Sequence, residues 1–143
     1  MIAELCYHNY SNWQHENNAK SNIDYISLQG YRSTVKSNHN RNSVITEIDE
    51  YCFKNLQNNE AENILPVTLG TIIDTISVLF LKITYLNTDK SANNSRIKTI
   101  QQQLKEITKA LDQSIDKVCN QKTFRFIKLD KIKIYKQKEI CSV

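Results

Sequence analysis

Apolar residues recur every three or four positions along most of this chain, broken by short polar stretches, which is the periodicity of helices. On residues 1–19, Ile2, Leu5, Cys6, Asn9, Trp13 and Glu16 share one face, so a first helix is expected there. Ser21 followed by Asp24 fits a capping-box start, which predicts a second helix from about Asn22 to about residue 57. Gly30 weakens that helix locally by about 1 kcal/mol relative to Ala. Leu28, Tyr31, Val35, Asn38, Asn42, Ile45, Asp49, Cys52 and Leu56 form an unbroken seam along it, and three of the nine are polar. Burying an unpaired amide or carboxylate costs roughly 1–3 kcal/mol. Asn38, Asn42 and Asp49 are therefore expected to find partners inside the fold, line a cavity, or meet another chain.

Residues 57–65 read as a polar connection leading to Pro66. A third helix is expected over residues 68–87, apolar around nearly its whole circumference and so central to a bundle. It is long enough to span a bilayer, but Asp74 and Lys82 would each cost about 2.5–3.5 kcal/mol at mid-membrane, so no membrane span is expected. Residues 88–95 read as a loop, and a fourth helix over 95–120 carries the strip Ile97, Ile100, Leu104, Ile107, Leu111, Ile115 and Val118. That strip has no polar intruder, which predicts a packing role alone. After Gln121 the period changes to alternation, and residues 123–136 read as an extended arm or short hairpin laid on the bundle. The fold class is all-α: an antiparallel bundle of about four helices in residues 1–122, with an extended basic C-terminal arm in residues 123–143.

Composition narrows this further. Gly occurs twice and Pro once, which argues against hairpin-rich β folds and against doubly wound α/β folds. The net charge of +4 is concentrated. Residues 121–140 hold seven Lys or Arg against Asp130 and Glu139, while the rest of the chain is close to neutral. Cys6, Cys52, Cys119 and Cys141 show no paired spacing, and Cys6 and Cys52 fall on apolar strips as small hydrophobes, so no disulfide framework is expected. Residues Met1 to Tyr7 lack the basic and apolar regions of a signal peptide, which predicts a cytoplasmic protein.

The candidate chemistry lies in the polar intruders. Asn9 and Glu16 come from the first helix, Asn38, Asn42 and Asp49 from the second, and Asp74 and Ser77 from the third. Arg41 lies at the edge of the seam and is expected to pair with Asp49, Glu16 or Asp74. Such convergence builds a network that fixes helix register, a bundle-core pocket for an anion or small molecule, or a partner-binding face. His8 and His15 lie seven residues apart, roughly 10 Å along a helix, too far for one ion, and no Glu-x-x-His pair is present. No metal and no cofactor are expected. A nucleophile elbow, a P-loop and a dinucleotide turn are also missing. The basic arm with Phe124, Phe126 and Tyr135 could contact RNA, but the same alternation describes the solvated face of a half-buried strand, and nucleic acid is the weaker reading.

Glu4-Leu5, Asn9, Trp13 and Glu16, then Arg32, Asn38, Arg41-Asn42 and Ile48-Asp49, form a spaced series continued by Gly70 to Asp74, Ser77, Leu81 to Ile83, Leu111-Asp112 and Lys133 to Tyr135. In their order and spacing these residues resemble the helical bacterial family catalogued as domain of unknown function 4254, over nearly the whole chain. Cys6, Gln14, Asn17, Ser43, Thr75 and Tyr85 depart from it; the family tends to carry His, His, Asp, Asp, Arg and His there. The resemblance implies a helical intracellular bacterial protein and brings no established reaction. Its retained positions, Asn9, Trp13, Glu16, Asn38, Arg41, Asn42, Asp49, Asp74, Ser77 and Lys82, are the candidate network or ligand-binding residues. The leading expectation is a structural or interaction protein, with a protein partner or a second copy of the chain on its helix flanks or on the arm. The alternative is a small-molecule site for an anionic sugar or nucleotide, in which Glu16, Asp49 or Asp74 would serve as acid or base. Catalysis is left undecided.

Overall fold

The structure, a computed structural model, describes residues 1–20, 22–56 and 60–127, and of residues 89–92 the backbone only. Ser21, read as a capping residue, and the basic arm beyond Ile127 lie outside the described residues. Four helices dominate: α1 (Ile2–Ala19), α2 (Asp24–Leu56), α3 (Leu69–Leu86) and α4 (Lys90–Ile115). This is the all-α bundle that the periodicity predicts.

Two helical hairpins make up the molecule. The short link after Ala19 folds α2 back along α1, and a 3-10 turn at Asn87–Asp89 folds α4 back along α3. Helix α4 therefore starts at Lys90, and the loop expected over residues 88–95 is not there. The 3-10 turn carries the chain from one helix almost directly into the next. α3 approaches all three other helices, whereas α4 runs beside α3 and makes no extended backbone contact with α1 or α2. The two hairpins are thus joined through α3, and a trough stays open between α1 and α4.

Both glycines of the chain serve close approach. A Cβ on Gly30 would sit 2.4 Å from the Ala19 nitrogen, and one on Gly70 would sit 2.7 Å from the Ile45 carbonyl oxygen. Helix α1 therefore packs on α2 through small groups: Gly30 faces the end of α1, and the Ser37 hydroxyl donates to the His8 carbonyl at 3.1 Å. This corrects the expected seam. The buried strip of α2 is Gly30, Ser37, Val44, Ile48 and Cys52, while Leu28, Tyr31 and Val35 are at least half exposed. Over most of its length the packing face sits one position earlier, about 100° round the helix, because a small residue permits contact without being apolar.

The apolar core gathers at one end. Leu5, Val44, Ile48, Cys52, Leu65, Leu69, Ile72, Val118 and Phe126 form it, and Leu5 and Val118 are almost completely enclosed. A two-residue parallel ladder closes this end, pairing Asn63 with Phe124 and Ile64 with Arg125. The start of the expected arm is thus extended, and it pairs with the connection before α3. α4 continues into one π-helical turn, Asp116–Asn120, before that strand.

Two further expectations change. Cys6 and Ile2 are exposed, because the buried face of α1 narrows to Leu5 and Asn9. α3 has an open side, with Phe80 at 64% exposure and Tyr85 also exposed, so it is a hub but is not enclosed. By length and composition it is the one described helix able to cross a membrane, with a mean hydropathy of 1.6. The Thr68 hydroxyl caps its start by accepting from the Thr71 N–H at 3.2 Å.

Candidate functional site

Asn9, Arg41, Asp74 and Ser77 meet where α1, α2 and α3 cross. Asp74 is 6% exposed and Asn9 5%, so neither can rely on water for its hydrogen bonds. The Asn9 amide donates to Asp74 Oδ1 at 2.9 Å and to Ser77 Oγ at 2.5 Å. The Ser77 hydroxyl donates in turn to the Asp74 carbonyl at 2.9 Å. Arg41 grips the same carboxylate with two donors, Nε to Oδ1 at 2.8 Å and Nη2 to Oδ2. Such a forked pair fixes direction as well as charge. The hydrogen-bonded Asp74 raises the Arg41 pKa above its ordinary value; partial burial opposes this, and the Asp74 and Glu16 charges add to the rise.

Above this cluster the trough between α1 and α4 deepens into a cleft of about 580 Å³. α1 contributes Asn9, Asn12, Trp13 and Glu16 to it, and α2 contributes Arg41. Val78, Leu81, Lys82, Tyr85 and Leu86 come from α3, and Arg96, Thr99 and Ile100 from α4. Trp13 and Tyr85 meet edge to face, with ring centroids 4.7 Å apart. Lys82 and Arg96 are exposed, and among the described residues neither forms an ion pair. The Asn12 amide donates to Glu16 Oε1 at 3.4 Å, while Asn12 Oδ1 is buried with no hydrogen-bond partner among the described residues. Guanidinium and ammonium groups from three helices, an aromatic pair and aliphatic walls suit an anionic molecule with an apolar or flat body.

Of the ten sequence candidates, Asn9, Trp13, Glu16, Arg41 and Lys82 line the cleft, and Asp74 and Ser77 support it from beneath. The other three lie elsewhere. Asn42 is exposed, and Asn38 is half-buried away from the cleft lining. Asp49 serves a different joint: its Oδ1 accepts the Gly70 N–H at 2.7 Å, at the first turn of α3. A carboxylate placed there meets free N–H groups and the positive end of the helix dipole. Burial pushes the Asp49 carboxyl above its usual range, with hydrogen bonds from Thr68 and Gly70 pulling the other way. Burial likewise raises the Cys52 thiol, helped by the nearby Asp49 and Cys119.

Periodicity did not reveal Asn12, Tyr85, Arg96 and Thr99. Arg96 and Thr99 each sit one position before a member of the α4 strip, Ile97 and Ile100, so α4 also lines the cleft. Their place beside an apolar strip does not by itself distinguish a cleft from water.

Comparison with known sequences gives one result. A family model described as "Protein of unknown function (DUF4254)" matches residues 1–126. No curated protein and no solved structure matches the chain.

Proposed function

The chain belongs to the DUF4254 family, and since that membership carries no reaction, we infer its role from the cleft: it binds a small anionic molecule there. One observation carries this reading. Arg41, Lys82 and Arg96, from three different helices, line one cavity of about 580 Å³, and only Arg41 is held by a carboxylate among the described residues. With Arg41 paired to Asp74, Lys82 and Arg96 still outnumber the one carboxylate of the lining, Glu16, so the cleft is net positive and attracts a counter-charge. The volume falls inside the roughly 300–1,000 Å³ range of small-molecule sites.

A screen of phosphorylated and carboxylated metabolites by thermal shift tests this. A ligand at about 100 times its Kd adds roughly 2.7 kcal/mol, which raises Tm by several degrees in a chain of this size. The combined Lys82→Ala and Arg96→Ala variant should lose the shift while keeping its own Tm, because both side chains are exposed. A shift that survives those substitutions, or no anion-dependent shift at all, overturns the proposal.

A structural role has its own support, since the Asn9–Asp74–Arg41 contacts tie three helices together. Arg41→Ala separates the two. If it unfolds and the wild type binds no anion, the tie is the whole function. If it stays folded but loses a ligand-induced shift, the scaffold reading fails.

A further inference from the structure

Resting on the cleft being an anion site, the geometry points to a narrower ligand class: a phosphorylated nucleoside. Lys82 and Arg96 offer the flexible ammonium and the planar guanidinium that phosphate recognition uses. Trp13 and Tyr85 present aromatic surface to the same space, where a flat base can stack whatever its sequence identity. The walls beside them, Leu81 and Leu86 among others, are aliphatic and suit a ring better than a hydroxyl-covered sugar. Asn12 supplies the last requirement. Its buried Oδ1 has no donor among the described residues and stands beside the Glu16 side chain, so an N–H or O–H group on the ligand would satisfy it. A halide has none to give, and inorganic phosphate, though it carries O–H groups, has no flat body to set against the aromatic pair. At about 580 Å³ the cleft is also far larger than a lone phosphate needs.

Trp13 is the single tryptophan of the chain, so its emission reports occupancy of the cleft directly. The full-length protein is titrated with the four common nucleoside monophosphates, adenosine, ribose 5-phosphate and inorganic phosphate, following both Trp13 emission and Tm. At least one monophosphate should bind roughly tenfold or more tightly than adenosine, ribose 5-phosphate and phosphate. Lys82→Ala with Arg96→Ala should bring that nucleotide down to the affinity of its nucleoside. Asn12→Ala should weaken the nucleotide about fivefold or more. If ribose 5-phosphate or phosphate matches the best nucleotide, the nucleoside assignment falls and the anion site stands. If adenosine matches AMP and the double variant changes nothing, the anion site falls with it. Silence from every probe overturns both.

Discussion

Asp74 and Asp49 are both acidic intruders in apolar strips, and they do different work. Asp74 is enclosed and accepts from Asn9 and from Arg41, so truncating it strands a buried amide and a guanidinium together. Asp74→Ala should cost about 3 kcal/mol, read by urea denaturation, and Arg41→Ala at least as much, because it leaves the more buried carboxylate without its counter-charge. Asp49→Ala should cost about 1 kcal/mol, the worth of a helix cap, whereas Asp49→Asn keeps an oxygen for the Gly70 N–H. The pH response separates these two variants. A raised carboxyl pKa means that the folded protein holds this proton more firmly than the unfolded chain does. Its contribution to stability therefore declines as pH climbs from the ordinary value, near 4, through the raised one. Asp49→Asn should lack that decline, and parallel Tm profiles for wild type and variant between about pH 4 and 7 would contradict it. Asn9, Arg41, Asp74 and Ser77 were legible because a polar group in an apolar strip needs a partner. Arg96 and Asn12 were not, since a polar residue beside a strip looks the same whether it faces a cleft or water.

At the scale of the element, the helices were readable nearly to their ends and their facing was not. α2 shows why: hydrophobicity marks Leu28, Tyr31 and Val35, but contact with α1 depends on Gly30 and Ser37 having little bulk. Gly30→Ala is the sharp test. In an open helix this change stabilises by about 1 kcal/mol. Here the added methyl would meet the α1 backbone at 2.4 Å, so Tm should fall. A rise in Tm would mean that the hairpin is looser than described. α3 offers a second contrast. Phe80→Ser should change stability by less than about 0.5 kcal/mol, while Leu79→Ala, one position away and buried, should cost about 2–4 kcal/mol in the same urea titration. Comparable losses at the two positions would place a partner on the open side of α3.

For the whole molecule, the division of labour is spatial. The apolar cluster occupies the end where Leu5, Val118 and Phe126 meet, and the cleft lies towards the α3–α4 turn. Sequence patterning could find the first because packing leaves a hydrophobic periodicity. The second is made by an omission: α4 stays beside α3 and does not close against α1, a choice of arrangement that no single helix records. That omission has a kinetic consequence. Residues 93–100 of α4 rest mainly on one neighbour, so their amide hydrogens should exchange with deuterium faster than those of α2 around Val44 and Ile48. A molecule seated between Trp13 and Arg96 would bridge the two walls, and exchange in that stretch should slow when the cleft fills.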